Sequence, residues 1–151
     1  MSVPVIDVAI ALKAAIEGAL SITVERRYSA YFDPGQVRDG KYLLVTSGED
    51  TDAKRGIDLL DLTVDVGYQI ALPVPTESEP DPANNLTWAD GQMAKVQAIK
   101  QLFRAGGSLR DSDFAGATYL RMTNSPIFRP EMLRDNQIFT SVLRLEFRLE
   151  A

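Results

Sequence analysis

The chain contains neither cysteine nor histidine. The missing cysteine excludes disulfides and thiolate nucleophiles, and it leaves the redox compartment unmarked. The missing histidine removes the usual general base near neutral pH, the commonest metal ligand, and every Ser–His or Cys–His pair. Catalysis would have to rest on carboxylates, lysine, tyrosine or serine alone. No apolar run approaches the roughly 18 residues that span a bilayer. The opening MSVPVIDVAIALKAAIEGAL has no basic leader and carries Asp7 and Glu17, so no signal peptide is expected. Neither G-x-x-x-x-G-K-[ST] nor G-x-G-x-x-G occurs, which leaves a nucleotide cofactor without support.

What is present is ordinary for a globular chain: 151 residues, 45% apolar and 25% charged. That length suits a single domain, residues 1–151, with a core of useful size. The net charge of −5 is unevenly spread. Residues 73–90 carry four acids and no base, whereas residues 91–151 carry nine bases and six acids. Oppositely charged portions suit head-to-tail contact between copies, although surface charge is often simply uneven.

Hydrophobic periodicity outlines the elements. Val5, Val8, Leu12, Ile16 and Ala19 recur at helical spacing, with Pro4 or Asp7 near the start and Gly18 near the end. SITVERRYSAYFD alternates as a strand, with Ile22, Val24, Tyr28, Ala30 and Phe32 on its apolar face, broken by Arg26. DPGQ is turn chemistry. KYLLVTSG and GIDLLDLTVDVGYQIALP read as the second and third strands, joined by a polar projecting loop, SGEDTDAKRG. The acidic, Pro-rich segment 73–86 reads as an extended hydrated connection. A second helix follows, N-capped by Thr87, with Met93, Val96, Ile99 and Phe103 as its buried stripe and Gly106–Gly107 as its stop. Trp88 at its start is expected to be a core or staple residue. A short strand, ATYLRM, precedes a Pro-bearing loop and the closing strand. In IFTSVLRLEFRLE, Phe139, Ser141, Leu143, Leu145, Phe147 and Leu149 fall on one face, with Arg144, Glu146, Arg148 and Glu150 on the other. The expected fold is α+β: a mainly antiparallel sheet of about five strands with two helices packed on one face.

Three groupings carry charge. Glu49, Asp50 and Asp52, with Asp58 and Asp61 beyond, lack the spacing of a calcium loop and are offset by Lys54 and Arg55, so a solvated loop is expected and no metal. Arg26 and Arg27 beside Tyr28 and Tyr31 are the interleaving that binds single-stranded nucleic acid, yet the chain is acidic and Tyr28 lies on the apolar face. The terminal charge ladder either pairs across the sheet or meets a neighbouring subunit.

The order and texture of ITVERRY, the polar loop, LDLTVDVGYQIALP, the helix and the late PIFRPEML and QIFTSVLRLEFR resemble the tail terminator (tail-completion, neck) proteins of long-tailed bacteriophages. The resemblance implies a structural virion protein, without catalysis or cofactor, that forms a six-fold ring at the head-proximal end of the tail tube. The ring stops tube polymerisation and meets a head-side connector or stopper, while DNA passes through its channel without specific binding. Its implied location is the virion, after assembly in the host cytoplasm, with no membrane partner. Contact candidates on that view are Arg26, Arg27, Arg144 and Arg148, with Glu49, Asp50 and Asp52 at the loop tip. Alternatives are another neck component, such as a head-completion or head–tail adaptor protein, or a small non-catalytic binding domain.

Overall fold

The computed structural model describes residues 3–46, 50–54, 58–124 and 128–150, and of 50–54 and 58 the backbone alone. The fold is α+β. Helix α1 (Pro4–Leu20) is followed by strands β1 (Val24–Arg27), β2 (Lys41–Val45), β3 (Asp50–Lys54) and β4 (Asp58–Ala71). Helix α2 (Leu86–Phe103), strands β5 (Asp113–Phe114) and β6 (Ala117–Thr123), helix α3 (Pro130–Asp135) and strand β7 (Ile138–Glu150) complete it.

The sheet has seven strands rather than five, in the order β1-β2-β4-β7-β6-β5, with β3 also against β4. It is mixed, because β1 and β2 run parallel and every other pair is antiparallel. Its spine is the β4–β7 ladder, which pairs Leu59 with Glu150 and continues without a break to Ala71 with Ile138. On one face Leu62, Val64, Val66 and Tyr68 of β4 and Phe139, Leu143, Leu145 and Phe147 of β7 join the main core. Val8, Leu12 and Ile16 of α1 and Val96, Ile99 and Phe103 of α2 complete that core, so both long helices cover the same face, as the periodicity predicts.

The expected polar loop between the second and third strands contains a strand, β3, over Asp50–Lys54. β2 and β3 lie in line along one side of β4, antiparallel to it, with Val45 opposite Asp65 and Asp50 opposite Leu62. Four residues separate Val45 from Asp50 where two separate Leu62 from Asp65, so the edge is interrupted by two extra residues. Polar composition conceals such a strand, since only its pairing with the apolar β4 holds it.

β5 is missing from the sequence reading because it is two residues long. Ala115 and Gly116 both have positive φ (53° and 89°), the geometry of a two-residue hairpin turn, and Asp113 accepts a hydrogen bond from the Gly116 amide. The Pro-bearing loop contains α3, with Pro130 at its first turn and Arg134 at its last. Helix α2 is capped two residues earlier than expected: the Asn85 side chain, not Thr87, accepts from the Trp88 amide at 3.1 Å. Trp88 itself is half-buried, edge-on to Phe139 at 6.2 Å.

The first strand is the main correction. It stops at Arg27, and the alternation beyond it inverts: Tyr31 is buried while Tyr28 and Phe32 are each 62% exposed. Gln69 is the cause. It lies buried on the sheet face opposite α1 and α2, where its side-chain amide imitates a neighbouring strand. The Tyr31 amide donates to Gln69 Oε1 at 2.9 Å, and Gln69 Nε2 donates to the Tyr31 carbonyl at 3.0 Å and to Thr140 Oγ1 at 3.1 Å. This clamp draws residues 28–33 across the sheet, where Tyr31, Val37, Leu43, Met132 and Ile138 form a second, smaller core.

Replacing Gln69 by Leu would leave the Tyr31 main chain unpaired. Urea unfolding should show a loss of about 2–4 kcal/mol. A change below about 0.5 kcal/mol would mean that apolar packing alone positions the segment.

Candidate functional site

The face opposite the long helices is divided. One end is covered by residues 28–38 and α3, and the other carries the charges of the closing strand. Those charges are paired inside the sheet. Arg144 Nε donates to Asp65 Oδ1 at 3.1 Å and Arg148 Nε to Asp61 Oδ1 at 2.8 Å, each across a registered β4–β7 pair. Glu146 accepts from Arg121 of β6, again its registered neighbour. The Arg148 guanidinium is held still more firmly in its charged form by the hydrogen bond to Asp61. Of the two roles open to the ladder, pairing across the sheet is the one observed.

Arg26 and Arg27 stand side by side on β1 but point to opposite faces. Arg26 Nη1 donates to Thr46 Oγ1 at 3.1 Å and to the Tyr28 hydroxyl at 3.4 Å, and its guanidinium lies 5.2 Å from the Tyr28 ring centre. Arg27 stacks 3.8 Å over Tyr31, donates to the Ser29 carbonyl and pairs with Glu25. The Tyr31 hydroxyl also donates to Glu25. That bond, supported by Arg27, holds the Glu25 carboxyl below its ordinary value, and the same bond raises Tyr31.

The seven contact candidates therefore do not form one cluster. Glu49 lies outside the described residues. Asp50 and Asp52 are located through the β3 backbone alone, opposite Leu62 and Leu60. Arg144 and Arg148 are committed to Asp65 and Asp61, and Arg27 to Glu25 and Tyr31.

Three surface features escaped the sequence reading. The first is a set of unlike sheet edges, of which β1 ends the sheet beside β2 and two others flank the β4–β7 spine. Among the described residues β3 pairs with β4 alone, and residues 119–123 of β6 pair with no strand but β7. Each presents a second row of backbone groups outward, one along DTDAK and the other along YLRMT. The second is a groove of about 200 Å³ between residues 28–32 and α3, floored by Val45, Asp65, Thr140 and Val142. The third is an apolar hollow of about 320 Å³ beside Leu86, Trp88, Met93, Phe128 and Leu133. Arg26, which breaks the apolar face of SITVERRYSAYFD, was the one sign in the sequence that this strand does not run on to Phe32.

No group of three acidic, histidine or cysteine side chains is placed to hold a metal among the described residues, and no described helix is long and apolar enough to cross a membrane. No protein-family model matches the chain, and no curated protein matches it.

Two outcomes test this electrostatic arrangement. Arg144→Glu combined with Arg148→Glu sets carboxylates opposite Asp65 and Asp61. It should lower unfolding stability by about 1–2 kcal/mol, a loss that shrinks in molar salt. Unchanged stability would show that the pairs contribute nothing. Glu25 has a folded pKa depressed below its ordinary 4.5. Its contribution is complete above the unfolded value and is lost as pH falls through the folded one. Glu25→Gln should therefore flatten the acid limb of the stability profile below pH 4.5 and leave its slope near neutrality unchanged. Urea midpoints taken across that range would check it.

Proposed function

We propose that the chain is a non-catalytic assembly protein of the bacteriophage tail neck, a tail terminator that forms a six-fold ring on the head-proximal end of the tail tube. On this proposal the ring ends tube polymerisation and offers its far side to the head connector or stopper. The protein resides in the virion after assembly in the host cytoplasm.

The observation that carries the proposal is the pair of unlike open edges on one sheet. A subunit with a single self-complementary edge closes into a two-fold dimer. A subunit with two different complementary edges joins head to tail, and such contacts close into a ring when the rotation per subunit allows. β3 and the free stretch of β6 stand on opposite flanks of the β4–β7 spine, the placement that head-to-tail joining requires. β3 carries two aspartates and a lysine, and the β6 stretch carries Arg121, which faces Glu146 of its own sheet.

The charged face adds support. Arg121, Arg144 and Arg148 each face a carboxylate. A row of paired arginines gives a phosphate backbone little to grip, which suits a channel through which DNA moves freely.

Native mass spectrometry over a concentration series, with and without tail tubes of the same phage, tests the proposal. The expected result is a discrete species of six chain masses, in free solution or captured on tube ends. A chain that stays monomeric and leaves tube ends bare would overturn it. Capture on isolated heads rather than on tubes would move the protein to the head side of the neck.

A further inference from the structure

The groove between residues 28–32 and α3 is built from two kinds of surface. Tyr28 and Phe32 stand at its rim, each 62% exposed, and Val45, Met132 and Val142 supply apolar walls and floor. Its cation is Arg129, fixed in place by its own amide, which donates to the Thr140 carbonyl at 2.8 Å. Arg129 has no carboxylate partner among the described residues. Arg26, bonded to the Tyr28 hydroxyl, is likewise without one. The acid on the floor, Asp65, is already occupied by Arg144. An exposed aromatic rim beside the uncompensated Arg129 guanidinium fits an extended, proline-bearing, acidic segment.

The chain carries such a segment. Where β4 ends, PVPTESEP leaves the sheet, and Val74 is 77% exposed. Its tip is preorganised. The Thr76 amide donates to the Glu79 carbonyl at 2.9 Å, and the Glu79 amide donates back to the Thr76 carbonyl at 3.2 Å and to Thr76 Oγ1 at 3.0 Å. Glu77 and Ser78 form a two-residue tip, and Glu79 is braced by the Asn85 side chain at 3.0 Å. Glu77 has no basic partner among the described residues. Three prolines and a closed turn leave little conformational entropy to lose on binding.

We infer that residues 72–80 of one copy dock in the 28–32/α3 groove of a second copy. Pro73, Val74 and Pro75 lie against Tyr28 and Phe32, and Glu77 reaches Arg129. The contact is heterologous, since arm and groove are different surfaces, and each subunit supplies both. It deepens the ring proposal and rests on it only for the number of copies joined.

The test is a titration of a synthetic peptide, ALPVPTESEPDP, into the full-length isotope-labelled protein, followed by NMR. Shifts should gather on Tyr28, Phe32, Val45, Arg129 and Val142. Arg129→Glu should weaken binding about tenfold, and a peptide with lysine at the Glu77 position should regain affinity for that variant. Circular dichroism of the variant controls for folding, and Phe32→Ser, altering an exposed rim residue, gives a second reading. Shifts spread over the surface, or affinity indifferent to both variants, would overturn the inference. So would a single-stranded oligonucleotide that moves the same signals at lower concentration. Peptide binding by a protein that never forms a ring would keep the docking site and remove the ring. A ring that survives Arg129→Glu without peptide binding would do the reverse.

Discussion

The structure depends on the register of β4 against β7. Thirteen consecutive pairs run from Leu59–Glu150 to Ala71–Ile138, and that register is specified on both faces at once. On the helix side Leu62, Val64 and Val66 meet Phe147, Leu145 and Leu143; on the other side Asp61 and Asp65 meet Arg148 and Arg144. A slip of one residue would turn the β7 leucines toward water and bring arginines under α1 and α2. A slip of two would keep the apolar faces aligned but set Arg144 against Thr63 or Gly67 and leave Asp65 without its partner. Burial therefore forbids the odd slips and charge pairing disfavours the even ones. Each ion pair is worth little singly, yet as a register signal it acts where the hydrophobic pattern is degenerate.

Fixing this spine decides what is left for partners. The ladder's charges are spent inside the sheet, so on the proposed function recognition falls to groups the register leaves over: the backbone rows of β3 and β6, and the groove beside residues 28–32. Gln69 belongs to the same constraint. Its position opposite Thr140 sets the side-chain amide where it replaces a strand, and Tyr31 is bound to it in place of a further ladder. With Tyr31 held inward, Tyr28 and Phe32 are turned outward. A buried glutamine is thus the reason for an exposed aromatic rim.

The legible part of this fold is the part governed by period. α1, the buried stripe of α2, β4 and β7 all announce themselves through spacing of 3.6 or 2, because burial on one face is what holds them. The rest is held by something a single segment does not contain. β3 is polar and exists through its pairing with Asp58–Leu62. β5, with two residues, and α3, with six, are too short for a repeating period to show. The inverted exposure of Tyr28 and Tyr31 depends on a glutamine 38 residues away from Tyr31. Of the contact candidates, the terminal arginines were legible as a ladder, but their partners Asp61 and Asp65 are visible only when β4 is laid beside β7. The groove could not be read, since it joins residues 28–32 to residues 129–142.

The same charges that are unremarkable for stability bear on the direction of assembly. An edge carrying Asp50 and Asp52 also carries Lys54, so antiparallel self-pairing about Asp52 sets Asp52 against its copy but Asp50 against Lys54, and charge opposes that pairing only weakly. An arm tipped by Glu77 meets like charge on its own copy. On the inferred docking, that arm is complementary instead to the groove bearing Arg129, whereas Arg121 of β6 is already paired with Glu146. Surfaces that are unlike favour, on the proposed function, a head-to-tail contact, the arrangement a closed ring needs, over a two-fold dimer. On the proposed function, the uneven spread of charge along the chain is then a device for polarity, keeping free subunits apart in the orientations that would not close.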